Sequence, residues 1–175
     1  EIIGNIEHTG NGPMIIRGGS KEKPGVLTGS NWQLGNIKAK HSDVVFEPGR
    51  TSDYSYQKLN SNVSVGEGKT MHIRHGSTLL IDQAIKVDGK YLQDKGASLV
   101  FGSQGIDSEG KLQVTGGAVI NNGAKISLKP RDYVFVAGQR FLVLQAQTLT
   151  LGDIETDAIR REACSKSLCY MRSKF

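Results

Sequence analysis

Short apolar segments alternate with glycine-containing corners from residue 77 to residue 128 of this chain. Each apolar segment is only a few residues long, as in SLVF at 98–101 and KLQV at 111–114. The corners between the segments carry dipeptides such as DG, KG, EG and NG, which are typical of tight turns. Strand, turn and strand again, with little room for a helix, predict a chain that winds into a β-solenoid.

A β-sandwich and an up-and-down barrel are the alternative all-β folds, since both also show strands about every 8 to 12 residues. The strands here are short for a sandwich, and the 5 tyrosines and 5 phenylalanines form no aromatic-rich core set. The turns also recur at strand ends rather than in wide hairpin loops. We therefore predict an all-β fold, with a parallel β-helix over residues 1–128.

Residues 50–62, RTSDYSYQKLNSN, interrupt this pattern because they show no apolar periodicity. We expect them to form a loop that protrudes from the strands. Tyr54 and Tyr56 are then the candidate contacts for a partner, because paired tyrosines on a protruding loop can anchor another protein. The alternative, in which both rings fold back onto the body of the protein, stays open.

The most apolar stretch of the chain follows Pro130, and it predicts a capping hairpin over residues 129–152. VFV at 134–136 and FLVL at 141–144 resemble two strands around a turn. A stack of strands exposes apolar core and unpaired backbone groups at its end, so it needs a cap. This hairpin is the candidate for that cap.

A different pattern begins at residue 153. Asp153 is a suitable N-cap, acidic residues occupy the first turns, and Arg160 and Arg161 follow, which is the order that a helix dipole favours. We predict a short helix over residues 153–164 and a loose tail from there to residue 175.

The expected folding core and cap consist of apolar residues on these strands and on the hairpin. They are Leu80, Leu99, Phe101, Leu112, Val114, Ile126, Leu128, Tyr133, Phe135, Phe141 and Leu144.

Composition and charge narrow the classes of partner. The 22 basic and 17 acidic residues give a net charge of +5, yet no dense basic stripe with interleaved aromatic residues is present. We therefore expect no nucleic-acid partner. No apolar run approaches the length of a membrane span. The chain begins at Glu1 without a methionine or a signal peptide, so we expect it to be an internal segment of a longer protein.

No residue pattern in the chain predicts catalysis. His72 and His75 fall on opposite faces of a strand and so do not share a metal ion. The aspartates fall mostly at turns, where they are chosen for turn hydrogen bonds, and the nucleophile motif GxSxG is absent. We expect no catalytic residue, no cofactor and no metal, and we do not expect an enzyme.

The only two cysteines, Cys164 and Cys169, lie near the end of the chain. They either close a small disulfide loop in an oxidising compartment or remain free thiols. Two cysteines without nearby histidines are too few for a zinc site.

Three sequence segments resemble those of a known protein family, and they occur in the family's order along the chain. They are GKYLQDKGASLVF at 89–101, GKLQVTGGA at 110–118 and AGQRFLVLQA at 137–146. Over about residues 61–151, this arrangement resembles the C-terminal passenger region of pertactin-like bacterial autotransporters. The resemblance implies a right-handed parallel β-helix whose last coils and capping hairpin act as an autochaperone, or junction, that promotes folding and secretion of the passenger.

The resemblance also implies partners and a location. The partners would be upstream passenger coils and a C-terminal outer-membrane barrel of the same chain. The location would be the surface or outer membrane of a Gram-negative bacterium, or the medium after cleavage, as part of a virulence factor or adhesin. Two alternatives stay open: a module that binds a host surface or cytoskeletal protein, and a β-helix enzyme that degrades polysaccharides.

Overall fold

The fold is that of a computed structural model, which describes residues 1–105, 108–129, 140–156, 160–164 and 167–171 of the 175-residue chain. The regular structure of these residues is β-strand, apart from one short 3-10 helix at Ser30–Trp32. Within the described ranges, no helix has the length and apolar character needed to cross a membrane.

The strands are numbered in chain order, and most of them are three to five residues long. Their bounds are β1 Ile2–Ile3, β2 Ile6–His8, β3 Met14–Ile16, β4 Gly25–Thr28, β5 Gly35–Ala39, β6 Val44–Phe46, β7 Ser55–Ser64, β8 Thr70–Ile73, β9 Ser77–Ile81, β10 Ala84–Asp88, β11 Lys90–Gln93, β12 Ser98–Phe101, β13 Ser103–Gly105, β14 Ser108–Glu109, β15 Lys111–Val114, β16 Gly117–Ile120, β17 Lys125–Leu128, β18 Arg140–Gln145, β19 Thr148–Leu151, β20 Glu155–Thr156, β21 Arg160–Cys164 and β22 Ser167–Met171.

Most strands pair in parallel, in three sets that we call ladders A, B and C. Ladder A joins β1, β4, β7, β9, β12, β17 and β20 in that order. Ladder B joins β2, β5, β7, β10, β15 and β18. Ladder C joins β3, β6, β8, β11, β16 and β19. The chain enters A, B and C in turn, and we call each such round a pass. The fold is therefore all-β and built mainly from parallel strands.

The buried core is shared by the three ladders, because alternate residues of most strands are buried on the same side. In ladder A, Leu79 pairs with Leu99 and Leu99 pairs with Ile126, and all three side chains are fully buried. In ladder B, Val87 pairs with Val114 in the same way. Apolar residues of successive passes therefore stack in rows across the strands.

The buried side chains of Tyr91 and Gln93 form a hydrogen-bonded network among the apolar rows of ladder C. The hydroxyl of Tyr91 donates a hydrogen bond of 3.0 Å to the side-chain oxygen of Gln93. The side-chain nitrogen of Gln93 donates to the carbonyls of Ala97 and Lys125, both at 3.0 Å. Burial raises the pKa of the Tyr91 hydroxyl well above its usual range, because the phenolate would lose its hydration. The network ties ladder C to the turn that leads into ladder A.

Glycines stack at the turn between ladders C and A. Gly76, Gly96 and Gly123 have φ values of +86°, +78° and +79°. The amide of Gly76 donates to the carbonyl of Gly96, and the amide of Gly96 donates to the carbonyl of Gly123, each at 3.1 Å. A side chain is strained at this φ, and a Cβ at Gly96 would also run into the ring of His75. The glycine corners of the sequence thus become a column of turns.

The loop predicted over residues 50–62 is wrong from Ser55 onward, because Ser55–Ser64 is the longest described strand, β7. This strand belongs to both ladder A and ladder B and is paired along both of its edges. It pairs with β4 and β5 on one side and with β9 and β10 on the other. Its inward positions include Ser55, Gln57 and Ser61, which are all buried. Backbone pairing on both edges therefore supports a strand whose side chains show no apolar alternation.

The expected core residues fall into three groups. Leu99, Phe101, Leu112, Val114, Ile126, Leu128 and Leu144 are buried. Tyr133 and Phe135 lie outside the described residues, and the side chain of Phe141 does as well. The expectation for Leu80 is wrong, because Leu80 is half-buried on the outer face of β9 while its neighbours Leu79 and Ile81 point into the core.

The helix predicted over residues 153–164 is also wrong for the residues that the structure describes. Glu155–Thr156 is the strand β20 and Arg160–Cys164 is the strand β21. The tail expected to be loose contains β22, which pairs antiparallel with both β21 and β18. Ladder B would otherwise end in the unpaired backbone groups of β18, and pairing with them outweighs a weak helical pattern.

The region predicted as a capping hairpin, residues 129–152, is described in part. The first predicted strand, at 134–136, lies outside the described residues. The second, β18, is a strand that extends ladder B in parallel, and β19 extends ladder C in the same way. Among the described residues, the antiparallel hairpin at this end is the pair β21 and β22.

Candidate functional site

The two ends of the ladders differ. At one end, β1, β2 and β3 each pair on one side only among the described residues, with β4, β5 and β6. Ile2, Ile3 and Ile15 on these strands are exposed by 52%, 62% and 44%. We call this surface, formed by β1 to β3, the N-terminal edge. It combines backbone groups that are free to pair with exposed apolar side chains, which is the character of a strand-docking surface.

The opposite end of ladder B is covered. Strand β22 lies antiparallel along β18, with Leu144 opposite Leu168 and Gln145 opposite Ser167, and β21 lies along β22. Antiparallel strands break the parallel series, so the next pass cannot continue in register along β18. In the same hairpin, Cys164 pairs with Ser167 and Cys169 pairs with Glu162 in the backbone register. The cysteine side chains lie outside what the structure describes, so the disulfide and the two free thiols both stay predictions.

Tyr54 and Tyr56 lie next to each other, where the chain enters β7. Their rings meet edge to face, with centroids 5.8 Å apart and an angle of 63° between the planes. Tyr54 is 50% exposed and Tyr56 is half-buried. The backbone of Tyr56 pairs with Gly19 through hydrogen bonds of 2.9 and 3.0 Å. The pair therefore presents one exposed ring that a second, anchored ring supports.

The acidic residues and histidines are dispersed over the described part of the chain. Asp82 forms an ion pair of 3.1 Å with Lys58, Asp94 lies 2.9 Å from the His72 ring, and Asp88 accepts a hydrogen bond from Thr115. Within the described ranges, no three histidines, cysteines or acids come together as metal ligands would.

The titratable side chains of His75, Glu7 and Lys40 also contact nearby residues. His75 contacts the backbone carbonyl of Lys95 at 3.1 Å, whereas His72 contacts the carboxylate of Asp94. The two histidines therefore have different partners. The ammonium of Lys40 hydrogen-bonds to Glu7 and lowers the pKa of that exposed carboxyl. Asp107, one of the aspartates expected at a turn, lies outside the described residues. These contacts stabilise neighbouring strands and turns rather than creating one reactive centre.

The chain matches no protein-family model, no curated protein and no solved structure.

A cleft of about 450 Å³ opens at the corner between ladders A and B. We call it the corner cleft. Its lining comes from four passes: Ile3 on β1, Val26 and Thr28 on β4, Lys58 and Asn60 on β7, and Gln83 in the link between β9 and β10. Glu1 and two connecting segments, represented by Gly29 with Asn31 and by Gln104, complete the lining.

A chain of polar contacts runs along one side of the corner cleft. The side-chain nitrogen of Gln83 donates to the side-chain oxygen of Gln104 at 2.6 Å. The side-chain nitrogen of Gln104 donates to Asp82 at 3.2 Å, and Asp82 also pairs with Lys58. Sequence reasoning missed this site, because Lys58 and Asn60 fall in the segment predicted to be a loop. The available signal was the unequal length of the links between strands.

Proposed function

We propose that the three ladders wind as a right-handed parallel β-helix and that this segment is the stem and autochaperone of an autotransporter passenger. Each pass enters ladders A, B and C in the same order, which supports a helical winding. Right-handed connections strongly predominate between parallel strands in one sheet. The order of the three sequence segments described above supports the autotransporter family.

The difference between the two ends carries the functional proposal. The N-terminal edge offers free backbone groups and the exposed side chains of Ile2, Ile3 and Ile15, whereas β18 at the other end is covered by β22. Among the described residues, ladder B can therefore receive a further parallel strand only at the N-terminal edge. In ladders A and C, the last strands β20 and β19 each pair on one side only. Adding a pass to an ordered edge avoids most of the entropy cost of starting a new one, so a stable terminal segment directs the folding of the strands before it.

In this proposal the segment performs no catalytic step. Its partners are upstream passenger coils, which would pair with the N-terminal edge, and an outer-membrane barrel in the same polypeptide. Its place is the surface of a Gram-negative bacterium, within a virulence factor or adhesin. Folding outside the cell would then favour outward movement of the passenger.

The test compares buried leucines at the two ends of the ladders. Leu144 on β18 and Leu27 on β4 are 0% and 4% exposed, while Leu142 on β18 is 37% exposed. Each is replaced by aspartate in the intact protein, and display is measured by protease accessibility on whole cells. A buried, unpaired carboxylate costs several kcal/mol, so Leu144→Asp and Leu27→Asp should perturb their own passes to a similar degree.

We expect Leu144→Asp to reduce display several-fold, Leu27→Asp to reduce it much less, and Leu142→Asp to leave it unchanged. The autochaperone role requires the C-terminal passes to fold first, so damage there should block the passes that follow. Equal loss of display in Leu27→Asp and Leu144→Asp would contradict that order of folding. Unchanged display in Leu144→Asp would contradict the proposal as a whole.

A second candidate function is recognition of a host protein through Tyr54 and Tyr56. The observation in its favour is the half-exposed Tyr54 ring that rests against Tyr56, since exposed aromatic residues often dominate binding energy. The test is capture of host surface and cytoskeletal proteins by the intact protein and by Tyr54→Ser. Equal capture by both forms would remove this candidate, whereas loss in Tyr54→Ser alone supports it.

A further inference from the structure

We propose that Asn11, in the link between β2 and β3, is a site of spontaneous covalent modification to isoaspartate and aspartate. The chain contains two Asn-Gly pairs, Asn11-Gly12 and Asn122-Gly123. Their surroundings differ at the atoms that would react, so the fold selects the first pair and protects the second. The modification would occur whether or not the segment has the proposed role in secretion.

The reaction joins the asparagine side chain to the backbone nitrogen of the glycine that follows. This nitrogen loses its proton to hydroxide and attacks the Cγ atom of the asparagine. A bond from nitrogen to Cγ forms and closes a succinimide ring, while the bond from Cγ to Nδ2 breaks and Nδ2 takes a proton from water to leave as ammonia. Water then opens the ring at either carbonyl and gives aspartate or isoaspartate. Glycine favours the attack because it has no Cβ to crowd the nitrogen.

The reacting atoms of Asn11 and Gly12 are free among the described residues. Both residues are exposed, the amide of Gly12 donates to no acceptor, and the side chain of Asn11 makes no hydrogen bond. A Cβ placed on Gly12 would meet no atom within 4 Å. The ring nitrogen Nε2 of His8 lies 2.8 Å from the carbonyl oxygen of Gly12, which leaves the nitrogen of Gly12 unrestrained. The attacking nitrogen can therefore approach Cγ without breaking a contact.

The second pair is held at both reacting groups. The amide of Gly123 donates to the carbonyl of Asp153 at 2.9 Å, and the side-chain oxygen of Asn122 accepts from the amide of Asp153 at 2.7 Å. The amide of Ala124 also donates to the carbonyl of Asn121 at 3.1 Å and closes a turn in which Gly123 has φ +79°. This geometry is that of a type II turn. The attack at Asn122 therefore requires the corner to open first.

Exposure alone does not separate the two pairs, because Asn122 is exposed as well. The difference lies in the hydrogen bonds to Asp153. We expect folding to slow the reaction at Asn122 by about tenfold or more, which corresponds to a local opening free energy of about 1.4 kcal/mol or more. Folding should change the rate at Asn11 little. In the unfolded chain both pairs lose their surroundings and should react at similar rates.

The product would alter the link between two strands of the N-terminal edge. Deamidation replaces the neutral Asn11 amide with a carboxylate, and isoaspartate also lengthens the backbone of residues 9–13 by one carbon. The backbone amides of Asn11 and Gly12 donate no hydrogen bond to any described residue, so no ladder contact is lost. We therefore expect the modified protein to keep its fold.

The experiment follows both sites in the whole 175-residue protein. Folded samples and samples in concentrated guanidinium chloride are incubated at neutral and at mildly alkaline pH. Peptide mass spectrometry measures the conversion at Asn11 and at Asn122, and labelling by an isoaspartyl methyltransferase measures isoaspartate. Each site serves as its own control, because its rate in the folded protein is divided by its rate in the denaturant.

We expect Asn11 to convert at a similar rate in both samples, to both products, and faster at the higher pH because the attacking nitrogen must lose its proton. Gly12→Ala should slow this conversion several-fold, since the added Cβ crowds the nitrogen. The open space around Gly12 makes this variant compatible with the fold. Asn11→Gln is the second control and should show no isoaspartate in the peptide that contains residue 11.

Conversion at Asn11 in the folded protein, together with protection of Asn122 that is lost in guanidinium chloride, supports the proposal. An Asn11 that converts only in the denaturant overturns it, as do equal rates at the two sites in the folded protein. A difference between the sites that persists in guanidinium chloride also overturns it, because local sequence would then set the rates. Aspartate without isoaspartate would overturn the succinimide step, since direct hydrolysis of the amide gives aspartate alone.

Discussion

Two adjacent leucines on β9 provide the sharpest test of how the strands face the core. Leu79 is fully buried and pairs in register with Gln57 and Leu99, whereas Leu80 is half-buried on the outer face and pairs with Lys58 and Val100. Both residues are leucines and both lie on β9, so they differ mainly in which face of the strand they occupy. Replacing each by alanine therefore changes burial and leaves local propensity nearly matched.

The magnitudes follow from what each side chain loses. Truncation of a fully buried leucine to alanine costs about 2–5 kcal/mol, because apolar burial is lost and a cavity remains between the ladders. Truncation of the half-buried Leu80 leaves no enclosed cavity and should cost about 1 kcal/mol or less. With a urea m-value of about 2 kcal/mol/M, a loss of 3 kcal/mol moves the unfolding midpoint by about 1.5 M.

The assay is equilibrium unfolding in urea, followed by far-ultraviolet circular dichroism for wild type, Leu79→Ala and Leu80→Ala. We expect Leu79→Ala to lower the midpoint clearly and Leu80→Ala to lower it slightly. A shift for Leu80→Ala equal to or larger than that for Leu79→Ala would show that the strand faces the other way. Every inward position assigned along β9 would then be wrong.

The remaining predictions concern a turn and a buried hydroxyl. Gly96→Ala should cost about 1–3 kcal/mol, because Gly96 has φ +78° and a Cβ there meets the His75 ring, whereas Gly12→Ala, in open space, should stay within about 0.5 kcal/mol in the same urea titrations. The pKa of Tyr91 is raised by burial, so its contribution to stability is intact below about pH 10 and is lost as pH rises above that value. Tyr91→Phe should cost about 1 kcal/mol at neutral pH and flatten the alkaline loss measured by thermal unfolding; an unchanged alkaline slope would contradict the assignment.

The sequence predicted the all-β character because short apolar segments and glycine corners are local signals. A turn that requires positive φ selects glycine whatever surrounds it, so Gly96 and Gly123 mark corners before any contact is known. Alternation in KLQV and SLVF likewise identifies Leu112 and Leu99 as inward residues, and both are buried. These features depend on neighbouring residues in the chain alone.

Strand β7 depended on the tertiary structure. Three of its inward residues, Ser55, Gln57 and Ser61, are polar, so the apolar Leu59 and Val63 alone do not give the segment a recognisable strand periodicity. The hydrogen bonds that hold it come from four strands far away in sequence. The same reason explains the end of the chain, where pairing with β18 determines a strand that local propensity does not favour.

The lining of the corner cleft could not be identified from the sequence, because it comes from separate passes that only the register of the ladders brings together. The sequence by itself determined the short apolar strands, the glycine corners and the all-β class of the fold, since each depends on the conformational preference of a few successive residues. Only the tertiary structure decided that Leu79 rather than Leu80 faces the core, that residues 55–64 form a strand, and that Asn60 lies in the lining of a cleft. Those outcomes depend on which distant strands lie alongside, and pairing between distant strands leaves no local pattern.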